Sequence, residues 1–416
     1  MINSTNHKTI LNFAFLFLPV SFILGAAIVE ISFFIFLVLS YLIFKKKIFI
    51  LKFKEVLFFF LIFYVYLNFN SAFSVEPLIS YKKSLPYFRF FLIICALVYY
   101  LNINPDILLK KKKIFLYLII ILTLDSLFQF FTSKNIIGLP IFDEKSYRVS
   151  SFFGSELILG SYVSKLFPII LSILFFEKDF KKKHTNYEII ILSIFIFLIC
   201  ILSGERVAVL HVIMIILYLF FLYKNKKLKK ILISILILFS LFIALTDNVI
   251  KKRLVDNTIN SFTYKETGTI KSNLMFFSET HHSHILSSYK MFQDKVFFGN
   301  GLKSYKYLCD KKEFKINDLS CSTHPHNTYL LFLSELGLVG LIFYLISFIY
   351  FLRSFFKLLF KTRFLYAKSL QCITVGLLFF YLPIPTGSFF NNFFSFQFFY
   401  LIAFYFFYLN LYKKNK

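Results

Sequence analysis

The sequence predicts an all-α polytopic membrane protein with about 12 transmembrane helices and one large polar segment outside the cytoplasm, between spans nine and ten. Three observations carry that fold class. The chain is 58% hydrophobic, with 63 Phe and only 16% charged residues, more apolar surface than a soluble chain of 416 residues can bury. Apolar runs close to the ~20 residues that cross a bilayer recur along the whole length. The basic residues gather in short clusters between those runs.

In order, the runs lie near 10–27, 28–44, 55–70, 86–101, 114–132, 156–176, 188–203, 206–223 and 231–247, then near 327–352, 369–383 and 389–412. The first is followed at once by the second with no convincing release site, so it reads as a retained helix and not a cleaved leader. The basic clusters are Lys45–Lys47 with Lys52 and Lys54, Lys110–Lys113, Lys178 with Lys181–Lys183, Lys224–Lys230, Arg353–Lys368 and Lys413–Lys416. With an inside N-terminus all of them fall on the cytoplasmic side, and so does the C-terminus. The formal charge of +26 is therefore mostly a topology signal. A nucleic-acid footprint needs a basic face on a folded domain, so no nucleic-acid partner is expected. Helices one to nine take residues 1–247, the polar segment 248–326 and helices ten to twelve 327–416.

The 248–326 segment is too long for an ordinary connection and reads as a functional element. It stays basic without a topological reason, and it holds His281, His282, His284, His324 and His326 in two short stretches. The second stretch runs straight into an apolar helix as HPHNTYLLFLSELGLVG. Pro325 suits the first turn of a helix, where its missing N–H costs nothing. His326, Tyr329, Leu330, Leu333, Gly337 and Gly340 follow at helical spacing. His326 is thus expected in the first helical turn, where the positive dipole end keeps imidazole neutral and able to accept a proton. Gly337 and Gly340 are expected to admit a neighbouring helix.

HPHNTYLLFLSELGLVGLIFYL resembles the HxHNxxLxxLxExGxxG signature of the O-antigen ligase and polymerase family. Three further stretches are similar to the same family, in the same order: RVSSFFGSELILGSYVSKLFPI at 148–169, LSGERVAVL at 202–210 and HILSSYKMFQDKVFFGNGLKSY at 284–305. The resemblance implies a GT-C-like glycosyltransferase of the bacterial inner membrane, working without metal or other cofactor on the periplasmic side. It implies a polysaccharide donor carried on undecaprenyl diphosphate. The acceptor is a lipid A–core hydroxyl in a ligase, the favoured reading, or a growing glycan in a polymerase, the alternative. His326 matches the base, with His324 beside it, and Arg206 matches an arginine that holds the diphosphate. Arg148 is the second choice, and His281, His282 and Asn327 complete the substrate-binding set. The family often carries a second loop arginine where this chain has His281. His281, His282, Lys290 and Arg253 all stay open for that role.

The residues agree with this chemistry on their own terms. Breaking a sugar–diphosphate bond leaves an anion that preorganised cations must stabilise. Arginine's planar fork suits phosphate oxygens, and Arg206 sits in a short SGER turn. Lys82, Lys83 and Arg89 depart from the charge asymmetry around span four and are candidates for phosphate contact. Two rivals remain: a zinc site built on the HxH and HHxH spacings, and a polytopic transporter, for which Asp125 is among the few charges within a span. Cys95, Cys200 and Cys372 lie in apolar spans and read as core. Cys309 and Cys321, outside the cytoplasm and twelve residues apart, are expected to pair as a disulfide ahead of the catalytic helix.

Overall fold

In a computed structural model, residues 4–49, 54–142, 147–181, 186–223, 226–245, 251–260, 278–361 and 364–415 are described. Lys52, Lys182, Lys183, Lys224, Arg363 and Lys416 of the basic clusters lie outside them, as do residues 248–250 and 261–277 of the long polar segment. Fourteen helices matter here, and they are numbered along the chain. The first six are α1 (Ser4–Ser21), α2 (Ala26–Phe44), α3 (Lys54–Ala72), the short α4 (Pro77–Ser84), α5 (Phe88–Ile103) and α6 (Asp106–Thr132). Next come α7 (Leu159–Lys181), α8 (Asn186–Leu202), α9 (Arg206–Leu222) and α10 (Lys226–Leu245). The last four are α11 (Glu279–Asp294), α12 (Thr328–Leu359), α13 (Ala367–Phe379) and α14 (Asn392–Lys414). Beyond one bridge between Lys134 and Pro140, no strand forms among the described residues.

A helix stands at each of the twelve apolar runs. Among the described residues, seven segments, on α2, α3, α4–α5, α6, α7, α12 and α14, are long and apolar enough to cross a membrane, while α8, α9 and α13 are shorter apolar helices. The centre is α7, with nearly all of its apolar stretch buried; it packs on α6, α8, α9 and α13. The close approach to α13 is made at Gly376, where a Cβ would stand 2.5 Å from the Pro168 ring. In lipid, helices associate through fitted van der Waals contact and not through exclusion of water. Here aromatic rings supply much of that contact. Phe90 of α5 stacks on Phe399 of α14 at 4.7 Å, and Phe33 of α2 on Phe396 at 4.8 Å.

Polar side chains tie helices where charge alone would point to solvent. Lys112, one of the four lysines at 110–113, is buried and bonds Glu177 of α7 at 2.5 Å and Glu188 of α8 at 2.9 Å. Asp125 of α6 takes the Ser151 hydroxyl and the Ile136 amide, the latter at 2.9 Å. It thereby anchors the 133–158 connection.

The helix after the histidines departs from the spacing-based expectation in two ways. It begins at Thr328, not at Pro325, because Asn327 caps it by accepting the Tyr329 and Leu330 amides at 2.9 and 3.2 Å. His326 precedes the helix with φ 53, in the left-handed region. The helix also breaks at Gly337 (φ 63, ψ −165), and what comes close there is a loop and not a neighbouring helix. The break frees backbone groups, and residues 296–301 take them: Asn300 N donates to Ser334 O at 3.0 Å and Gly301 N to Glu335 O at 2.8 Å, while Leu338 N donates to Val296 O at 2.9 Å. Irregular backbone at this depth is tolerated because protein covers it. At Gly340 the nearest group a Cβ would meet is the Leu336 side chain of the same helix.

Candidate functional site

A cavity of about 910 Å³ opens between the 133–158 connection, α7, the α8–α9 turn, α11, the HPH segment and the α13–α14 connection. Arg148, Arg206, His281, His324 and His326, far apart in sequence, all line it, and so do Arg253 and Lys165.

The cationic wall is built around the SGER turn. Gly204 has φ +64, which favours glycine, and a Cβ there would stand 3.0 Å from Arg253 Cδ and 3.4 Å from Arg148 Cγ, so both arginine side chains pack close against this turn. Arg253 Nε donates to Gly204 O at 2.8 Å. Arg148 donates to Ser203 O at 3.1 Å and Leu157 O at 2.8 Å, and stands 3.9 Å from the Glu205 carboxylate. Glu205 in turn accepts the Gly160 and Ser161 amides at 2.8 and 3.2 Å, which caps α7. Burial pushes the Glu205 carboxyl up, and the Arg148 charge and those amides oppose that shift. Arg206 opens α9, more exposed than the others, with a guanidinium nitrogen 3.5 Å from the Thr258 hydroxyl.

The imidazole wall is a cluster of four rings. His326 lies 4.1 Å from His324, 5.4 Å from a stacked His284 and 5.8 Å from His281, centroid to centroid. Burial lowers the pKa of His326. His324 falls to about 3, through burial, the neighbouring His326 and Lys303. His281 and His284 fall to about 4, mainly through burial and then His326. Burial thus favours the neutral form of all four rings. His324 has both nitrogens engaged: Nε2–H donates to Thr386 O at 3.3 Å, and Nδ1 meets the Thr323 hydroxyl at 2.9 Å. His326 Nε2 meets Ser322 Oγ at 3.1 Å, while among the described residues nothing hydrogen-bonds its Nδ1. With Ser322 accepting Nε2–H, the Nδ1 lone pair is open.

Covalent and packing constraints fix this wall. Cys309 and Cys321 form a disulfide, Cα–Cα 5.1 Å, and Tyr305 donates to Ser320 O at 2.6 Å within a small core of Met291, Tyr305, Leu308, Cys309 and Phe314. Thr386 N donates to His326 O at 2.7 Å and straps the HPH segment to the α13–α14 connection.

Not every expected residue reaches the cavity. His282 is buried in α11 away from its lining, where burial lowers its pKa, and Asn327 is occupied in capping α12. Lys290 is exposed on α11. Arg89 is held by Glu30 at 3.2 Å and by Asn392 at 3.2 Å, outside the lining. His284, one of the clustered histidines but given no role by the sequence, stacks on His326; Lys165, an apolar-run lysine, carried no sequence signal of its own. Among the described residues, no three His, Cys, Asp or Glu side chains gather as a metal-binding group.

Fold and site together define a polytopic membrane protein with a histidine- and arginine-lined cavity. Residues 191–345 match the family model described as O-antigen ligase, and the match supports the O-antigen ligase and polymerase family. The matched segment contains Arg206, Arg253 and every histidine of the cluster; Arg148 and Lys165 precede it. No curated protein matches the chain.

Proposed function

We propose that the chain is an O-antigen ligase, an inverting glycosyltransferase that moves a polysaccharide from undecaprenyl diphosphate to a lipid A–core hydroxyl. His326 Nδ1 takes the hydroxyl proton. The acceptor oxygen then bonds to the anomeric carbon from the face opposite the diphosphate. The carbon–oxygen bond to the diphosphate breaks, its electron pair stays with the phosphate oxygen, and undecaprenyl diphosphate leaves. Arg206 and Arg253 stabilise that developing anion from the cavity wall. No step asks for a metal.

The observation that carries the reading is a single cavity in which a neutral histidine with an open nitrogen meets arginines of the matched segment. The side on which the cavity opens follows from the charge asymmetry: with twelve spans and both termini in the cytoplasm, residues 248–326 are periplasmic, in a GT-C-like arrangement in the inner membrane. Deleting the gene and running lipopolysaccharide on a gel tests the reading. Bare core together with free lipid-linked O-chain is expected. Core bearing a single repeat indicates a polymerase instead, and an unchanged ladder removes both.

A further inference from the structure

Lys165 is the most buried cation of the cavity, 7% exposed, on the central helix α7. Charges within a spanning helix are costly and are retained where they meet a partner or a substrate. Among the described residues the one hydrogen bond of its ammonium is to Ser161 Oγ, one turn back, at 3.0 Å. The group lies over the Phe394 ring at 4.5 Å and the Phe380 ring at 5.2 Å. Cation–π contact offsets part of the desolvation but does not neutralise the charge. Glu205 is within electrostatic reach, yet its oxygens already serve the α7 amides and face Arg148. Two N–H donors of Lys165 are thus left without an oxygen among the described residues, in a cavity whose other cations, Arg148, Arg206 and Arg253, are less buried. Of the charged lining residues, four cations (Arg148, Lys165, Arg206, Arg253) stand against two carboxylates (Glu156, Glu205).

We propose that Lys165 binds a phosphate of the lipid-linked diphosphate donor, taking non-bridging oxygens from the membrane-facing side while Arg206 and Arg253 hold the diphosphate from the more exposed side. This rests on the reading of the cavity as a glycosyl-diphosphate site. A diphosphate diester carries one charge on each phosphate, which matches the excess of two cations. A point-charge ammonium suits the inner phosphate, whose oxygens are approached from below. Arginine forks suit the outer phosphate, from which the sugar departs.

The test uses the full-length protein in lipid nanodiscs with two sugar-free probes, undecaprenyl diphosphate and undecaprenyl phosphate. Wild type is expected to prefer the diphosphate. Lys165→Met, which keeps the length and loses the charge, is expected to lower diphosphate affinity on the order of 10- to 100-fold and to erase the preference over the monophosphate. Lys165→Arg is expected to retain most of it. Equal diphosphate affinity in wild type and folded Lys165→Met overturns the role of Lys165. If Arg206→Lys still weakens binding in that case, the cavity reading stands without it. No diphosphate binding by wild type overturns the cavity reading and this role together. Reductive methylation of wild-type protein, followed by mass spectrometry, is independent of variant folding. Undecaprenyl diphosphate is expected to protect Lys165, and equal labelling with and without it contradicts the proposal.

Discussion

The two nitrogens of His326 differ: Nε2 meets Ser322 Oγ, while among the described residues nothing hydrogen-bonds Nδ1, and the residue lines the cavity. Its left-handed φ and the Thr386 bond to its carbonyl aim the ring, since a backbone in that region persists only where its surroundings fix it. Burial holds the imidazole pKa below its ordinary 6.5, so the base form survives further into acid than a solvated histidine would. Protonation removes the base. The transfer rate should therefore rise with pH through a midpoint below 6.5 and then level off, and an acid limb centred at or above 6.5 would speak against His326 as base. For Arg206 the geometry of the fork matters as well as the charge. Arg206→Lys is expected to lower kcat/KM by roughly tenfold or more, whereas unchanged kinetics would reduce the residue to an anchor at the membrane boundary.

At the level of elements, α12 and residues 296–301 form one unit, because each satisfies backbone groups that the break at Gly337 leaves open. Gly337 and Gly299 both have positive φ, and a Cβ on either would run into the other strand of this contact; Gly337 Cβ would lie 2.6 Å from Gly299 N. Gly337→Ala should therefore destabilise the protein by about 1–3 kcal/mol from backbone strain alone, read as a lower thermal midpoint in detergent. A midpoint equal to wild type would mean that α12 can run straight through this position. Sequence spacing made the helix legible here but not its break, since glycine fits a helical stripe and a bend equally well. The capping by Asn327 was similarly hidden behind Pro325, which also suits a helix start. His324, His326, Arg148 and Arg206 were legible because they sit in recognisable stretches. Arg253 remained one of several choices, because its place depends on Gly204, 49 residues earlier. Lys165 was invisible for a simpler reason: in an apolar run a lone lysine reads as tolerated, and only packing reveals what it faces.

For the whole molecule, α7 links membrane and site. Its N-terminus is capped by Glu205 of the cationic wall, its second turn carries Lys165, and its far end holds Glu177 against Lys112. A bundle built this way presents the cavity from a rigid centre, while the disulfide-closed segment brings the histidines to it. The most direct test of the central claim is reconstituted transfer from an undecaprenyl-diphosphate-linked glycan to lipid A–core, with chelator present, comparing wild type and His326→Ala at equal, folded protein. Wild type is expected to form the conjugate, and His326→Ala to form it at least about 100-fold more slowly, with His324→Ala affected less. Transfer by His326→Ala at the wild-type rate, or a wild-type rate that appears only when Mg²⁺ or Zn²⁺ is restored, would contradict it.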